Sequence, residues 1–331
     1  MRIQFSHKFE EIISLDNLLA AWKEFIKGKR NKKDVQEFQF RLMDNIINLH
    51  EDLKNRTYQH SDYHALNISD PKPRSIHKAT VRDRLLHRAI YRILRPFFDR
   101  VFIADSYSCR ILKGTHKALN RFRAFAYKAS KNHTKTIWVL KCDVRKFFAN
   151  IGHSILLQIL KKYIKDENIQ WLLSRVVESF SSHTPGIGLP LGNLTSQLFI
   201  NIYMNEFDQF VKHKLKAKYY IRYADDFVIM NLDKNWLDSV LVRIKEFLKT
   251  NLKLELHPDK ISLRTISSGN DFLGWVHFPD HRVLRGVTKK RMFRNIIAKN
   301  GKTETVQSYL GLLQYGNTKK LQGRVKGMEE K

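Results

Sequence analysis

The sequence predicts an α+β fold, and three observations carry that prediction. The first is Tyr219-Tyr220-Ile221-Arg222-Tyr223-Ala224-Asp225-Asp226-Phe227-Val228-Ile229-Met230. It reads as two short strands rich in aromatic and branched residues, with adjacent carboxylates at the turn between them. The second is Thr136-Ile137-Trp138-Val139-Leu140-Lys141-Cys142, a further apolar run that ends on Asp143. The third is the remainder of the chain, where apolar residues recur at helical spacing before, between and after these strands.

Taken in order, Leu15 to Lys29 is an amphipathic helix, with Leu18, Leu19, Trp22, Phe25 and Ile26 on its apolar side. The basic break Lys27 to Lys33 is either a solvated loop or a phosphate contact. A second helix is expected from Asp34 to Asn55, carrying Phe38, Leu42, Ile46, Ile47 and Leu53. Tyr58 to Ser69 has strand character, and the prolines and cations of Asp70 to Arg84 suggest a rigid hairpin. A helix from Arg82 to Arg95 is expected to stop at Pro96. Lys113-Gly114-Thr115 opens another helix, whose N-terminus could face a phosphate. Two scaffold helices are expected near 154–165 and 168–180. The Gly/Pro loop Pro185 to Gly192 then enters a helix with Phe199, Tyr203, Phe207 and Phe210 on one stripe. Trp236 to Thr250 reads as helix and Leu252 to Leu256 as strand. From Asp280 the chain turns helical and basic, through Arg282, Arg285, Lys289, Lys290, Arg291 and Arg294.

Composition narrows the partners. The 331 residues carry 60 Lys+Arg against 32 Asp+Glu, a formal net charge of +28 spread along the whole chain. An excess of that size points to a polyanion lying along an extended path. With 43% hydrophobic residues there is enough apolar material for several subdomains. Cys109 and Cys142 offer neither a disulfide framework nor zinc spacing, which suits a reducing cytoplasm. The first residues lack a signal-peptide run, and no stretch approaches the roughly 20 apolar residues of a membrane span.

The carboxylates carry the chemistry. Asp-Asp alone would be read as a solvated turn. Flanking apolar strands and a third carboxylate at Asp143 reverse that preference. Like charges held close raise one another's pKa, and a hard divalent cation relieves them. Carboxylates converging from two strand ends suit two Mg2+ ions and in-line phosphoryl transfer.

Tyr223-Ala224-Asp225-Asp226, with Asp143-Val144-Arg145-Lys146-Phe147-Phe148 upstream, resembles the bacterial reverse transcriptases related to group II intron and retron enzymes. The resemblance runs from about Asn67 to the C-terminus. It implies a right-hand polymerase: an N-terminal helical extension (1–66), fingers (67–135), a palm (136–280, with an insertion near 154–190) and a helical thumb (281–331). It implies that Asp143, Asp225 and Asp226 are catalytic and hold two Mg2+, or Mn2+ in their place, with the Val144 carbonyl as a further ligand. Lys72 and Arg74 would grip the incoming triphosphate, and Arg110 would lie near nucleotide or template. Phe148 would exclude the ribose 2′-hydroxyl, with Phe147 a core neighbour. Lys260, in His257-Pro258-Asp259-Lys260, would protonate the leaving pyrophosphate. Phe272-Leu273-Gly274-Trp275 would grip the primer.

Pro190-Leu191-Gly192-Asn193-Leu194-Thr195-Ser196-Gln197 is more specific. Intron-type enzymes read Pro-Gln-Gly-x-x-x-Ser-Pro here, so Leu191 replaces Gln and Gln197 replaces Pro. Those departures resemble the reverse transcriptases of diversity-generating retroelements, which copy a template RNA with frequent errors opposite adenine (mutagenic retrohoming). Leu191, Gly192 and Gln197 would border the nucleotide. Implied partners are a template RNA, a DNA or RNA primer, dNTPs and a small basic accessory protein, with no membrane. The alternatives are an antiphage-defence or retron-type enzyme, and a non-catalytic nucleic-acid chaperone. Intact Asp143, Phe148, Asp225 and Asp226 argue against the chaperone.

Overall fold

The computed structural model describes residues 3–69 and 73–329. The chain forms two compact units, each assembled from separated stretches. The first comprises Met1–Ala104, Val144–Lys214 and Ile244–Glu255; the second comprises Asp105–Asp143, Leu215–Arg243 and Leu256–Lys331.

The first unit opens with helices α1 (Phe9–Ile13), α2 (Leu15–Phe25), α3 (Lys33–Phe40) and α4 (Leu42–Lys54). Ser14 caps α2, its hydroxyl accepting from the Asn17 amide. The single helix expected over 34–55 is two, broken at Arg41, whose φ of −119° and ψ of 47° leave the helical region. Strands β1 (His64–Ile68) and β2 (Arg74–Lys78) pair antiparallel. Strand structure begins after Tyr58 because the preceding segment is tied elsewhere. The Tyr58 hydroxyl donates to Asp83 at 2.8 Å and the Ser61 amide to the same carboxylate at 3.2 Å.

Helix α5 (Val81–Val101) runs through Pro96 instead of stopping there. Proline in a helix interior costs about 3 kcal/mol. Beyond it, Phe97 and Phe98 extend the buried stripe of Leu86, Ile90 and Leu94. Burying two such rings stabilises by roughly 1.5–3 kcal/mol each, which offsets the proline.

In the second unit follow α6 (Thr115–Ala129) and β3 (Trp138–Asp143). The chain returns to the first unit for α7 (His153–Tyr163), α8 (Glu167–Glu178) and α9 (Leu194–Gln209). Helix α9 packs on α5 and α7, which explains why Phe199, Tyr203 and Phe207 are all buried. Then come β4 (Tyr219–Tyr223), β5 (Asp226–Asn231) and α10 (Lys234–Leu252). Leu252–Leu256, expected as a strand, forms none. The chain leaves α10 through Lys253 at φ +51°, a left-handed conformation that breaks extension.

The second unit is completed by β6 (Ser262–Thr265), β7 (Asn270–Phe272), β8 (Trp275–His277), β9 (Arg282–Leu284) and helices α11 (Gly286–Ala298), α12 (Thr303–Leu313) and α13 (Lys319–Lys326). Its main sheet has the order β4-β5-β3-β6, every neighbouring pair antiparallel. One core joins this sheet to α6, to β7–β8 and to the last three helices, through Phe122, Val139, Val228, Phe272, Trp275 and Leu313 among others. Leu273 (φ +51°) and Gly274 (φ +85°) make the two-residue turn between β7 and β8. Positive φ at both turn positions gives a hairpin the twist its strands need. Among the described residues, no helix is long and apolar enough to cross a membrane.

Candidate active site

Strand register assembles the acidic end of the sheet. Asp143, last in β3, is the direct cross-strand partner of Asp226, first in β5. The β4–β5 ladder closes on Tyr223 and Asp226, so Ala224 and Asp225 are the turn. Directly opposed residues on antiparallel strands hold their Cβ atoms about 4.5–5.5 Å apart on one face. Two carboxylates are therefore set against each other, with the third beside them in the turn.

Ala224 has φ +56°, a conformation most L-residues avoid. Arg222 holds it there. This fully buried side chain donates from Nη1 to the Ala224 carbonyl at 3.1 Å and from Nη2 to Ser106 Oγ at 3.0 Å. Its backbone is fixed as well: the Arg222 amide donates to Asp105 O at 3.0 Å and the Tyr107 amide to Arg222 O at 2.9 Å. Sequence reasoning gave Arg222 no role. A charged residue inside an otherwise apolar strand is the feature that marks it.

Burial pushes the Asp225 carboxyl up to about 6, and the neighbouring Asp143 and Asp226 charges add to it. Burial also raises Asp226, while the Lys141 ammonium works the other way. Lys260 Nζ donates to Asp143 Oδ1 at 2.6 Å. Lys141 Nζ stands 3.8 Å from Asp226 Oδ1, a buried oxygen that accepts no hydrogen bond. Among the described residues, no three His, Cys, Asp or Glu side chains are already gathered as a metal cage. The donor set nevertheless fits a hard divalent cation: it is all carboxylate oxygen, mutually repelling, with one buried acceptor unsatisfied. Val144, next in the chain, is buried.

The first unit brings together other predicted residues. The His77 amide, on β2, donates to Leu191 O at 3.0 Å, and Asn193 Nδ2 donates to His77 O at 2.9 Å. Gly192 sits between them at φ +107°, where a Cβ would lie 2.7 Å from Ile76 Cγ2. The Leu191-Gly192-Asn193 segment is thus clasped along the strand that Arg74 begins. Arg74 itself is exposed, and Lys72 lies outside the described residues. Gln197 is half-buried in the first turn of α9. Phe147 is buried, whereas Phe148 is only half-buried and its carbonyl accepts from the Leu189 amide at 2.8 Å.

In the second unit, Arg110 Nη1 donates to Ser106 O at 3.1 Å, the residue that also receives Arg222. Phe272 and Trp275 are buried in the core, so of the expected primer-grip residues Leu273 and Gly274 form the accessible turn. The Arg285 amide donates to Gly274 O at 3.1 Å and its guanidinium pairs with Asp271 at 2.7 Å.

The α+β architecture is that of a polymerase of the reverse transcriptase and telomerase kind. It resembles the truncated apo telomerase of Candida tropicalis with a TM-score of 0.51 at 12% identity, covering 73% of this chain and 60% of that one. It likewise resembles the Candida albicans telomerase in complex with the TWJ fragment of telomeric RNA, with a TM-score of 0.52 at 12% identity over 71% of this chain and 46% of that one. At such identity the likeness is one of fold. The chain belongs to the reverse transcriptase (RNA-dependent DNA polymerase) family, matching it over residues 68–277. It is 25% identical to protein YkfC of Escherichia coli over 256 residues, 66% of this chain and 65% of that protein. It is also 25% identical to the group II intron-encoded protein LtrA of Lactococcus lactis subsp. cremoris over 314 residues, 73% of this chain and 50% of LtrA. The chain therefore spans 65% and 50% of the lengths of these two relatives.

Proposed function

We propose that this chain is an RNA-directed DNA polymerase whose site is Asp143, Asp225 and Asp226. The observation that carries the reading is the cross-strand pairing of Asp143 with Asp226 beside Asp225, in a chain of this family. A primer 3′-hydroxyl attacks the α-phosphate of a dNTP; the new O3′–P bond forms as the bond to pyrophosphate breaks. Asp143, Asp225 and Asp226, with the Val144 carbonyl, would hold two Mg2+, which supply charge to the phosphates and acidify the hydroxyl. The protein itself contributes position. Arg222 fixes the acidic turn, Arg74 and Lys72 steady the triphosphate, Arg110 borders nucleotide or template, and Lys260 lies beside Asp143 for the leaving group. Phe148 would exclude a ribose 2′-hydroxyl, and the Leu273-Gly274 turn would offer backbone to the primer strand. The domain plan follows the family: extension 1–66, fingers 67–135, palm 136–280 and thumb 281–331.

Within that class, Leu191 and Gln197 favour the diversity-generating kind, with misincorporation concentrated at template adenine. A template RNA is supported by the family and by the RNA in the Candida albicans neighbour's complex. A small basic accessory protein belongs to the same reading. Primer extension on an RNA template tests the activity. Replacing both Asp225 and Asp226 with Asn should abolish synthesis while leaving RNA binding unchanged. Extension at near wild-type rate would remove the site assignment, and a wild-type protein that binds RNA but never extends would be a chaperone.

A further inference from the structure

Lys141 and Lys260 bring two ammonium groups to the three carboxylates. Lys141 precedes Asp143 by two residues on β3, so both side chains leave the same face of the sheet. Lys260 arrives from a short turn that is itself anchored here, because the His257 amide donates to Asp143 O at 2.8 Å. The two differ in access: the Lys260 side chain is 39% exposed, and that of Lys141 is 16% exposed. Lys260 is thus the more accessible of the two and can withdraw along its flexible stem, while Lys141 is fixed on a strand of the sheet. Asp271, which also repels Asp226, is paired with Arg285 and so is already countered. Without the two lysines, Asp143 and Asp226 would stand opposed across the ladder with Asp225 adjacent, each stripped of its ammonium partner.

We propose that Lys141 and Lys260 are resident counter-cations of the site. They hold the carboxylates in the metal-free protein, and Lys260 gives up Asp143 when a divalent ion takes it. Metal affinity is thereby set by an internal competitor, and Lys260 is a positioning residue for the acidic site. The proposal rests on the reading of Asp143, Asp225 and Asp226 as the metal site.

The test uses the full chain without nucleic acid, titrated with MnCl2 in a calorimeter at constant ionic strength and melted in EDTA. Lys260→Ala should bind Mn2+ about tenfold or more tightly than wild type, the scale of one charged hydrogen bond no longer broken. It should also melt lower in EDTA, with the difference closing as Mn2+ is added. Lys260→Met keeps the stem without the charge and should behave alike; Lys141→Met should lower the melting temperature in EDTA. Equal or weaker Mn2+ binding by both Lys260 variants overturns the proposal and leaves the metal-site reading intact. Wild-type protein with no Mn2+ binding that the Asp225→Asn/Asp226→Asn variant removes overturns both.

Discussion

At the scale of single residues, Asp225 links the site's geometry to stability. Its carboxyl titrates near 6, above the ordinary 3.8. Between those values the folded protein holds a proton that the unfolded chain has released. Stability therefore falls as pH rises through that window, and the whole penalty is present above it. Asp225→Asn removes the penalty. In EDTA at pH 7.5 the variant should melt higher than wild type by about 1–2 °C, the shift that ~1 kcal/mol gives a chain of 331 residues. At pH 4 the two should melt together. A gain of equal size at both values would mean that the asparagine acts through packing and not through charge.

At the scale of elements, the clasp between β2 and the Leu191-Gly192-Asn193 segment makes the fidelity proposal testable. The hydrogen bonds that hold the loop run through the Leu191 carbonyl and the Asn193 side chain. Leu191→Gln should consequently keep the loop in place and change only what it offers the nascent pair. Leucine has neither donor nor acceptor, whereas glutamine has both. Sites that hydrogen-bond their substrate discriminate more strongly than apolar ones. The variant should make fewer errors at template adenine than at other bases relative to wild type; ~1.4 kcal/mol of added discrimination corresponds to a tenfold drop. Sequencing cDNA from both proteins on one template reads this directly, and an unaltered adenine fraction in an active variant would sink the idea. Elements of this kind were legible where local pattern and tertiary demand agree. The β4–β5 hairpin and β3 could be read because their apolar runs end in charge, and α7, α8 and the terminal helices because their periodicity is strong. Pattern failed where a distant partner decides. Pro96 is carried by the rings that follow it, Arg41 interrupts a continuous apolar stripe, and Lys253 turns the chain out of an expected strand. In the site, the three aspartates were readable from their strand ends. Lys141 and the Lys260–Asp143 pair were not, because cross-strand and turn-mediated contacts leave no trace in spacing; Arg222 left one signal, a charge inside an apolar strand, but nothing to show what it holds.

At the scale of the whole molecule, the +28 charge makes the proposed binding of RNA testable. Cations neutralising many phosphates release counterions, so binding should weaken by roughly a hundredfold or more between 50 and 200 mM salt. Filter binding or fluorescence anisotropy across that range checks it; a flat response would detach the charge from nucleic-acid binding. The interleaved build of the two units has a consequence of another kind, for biosynthesis. The chain passes from one unit to the other after residues 104, 143, 214, 243 and 255. On the ribosome, β3 emerges with Val139 and Leu140 lacking both neighbouring strands, since β5 ends at Asn231 and β6 begins at Ser262. At translation speeds of about 5–20 residues per second, that apolar strand waits on the order of 5–20 s for its first partner. Codon usage and nascent-chain chaperones acting between β3 and β5 therefore bear on the yield of folded protein, even where they change no residue of the site.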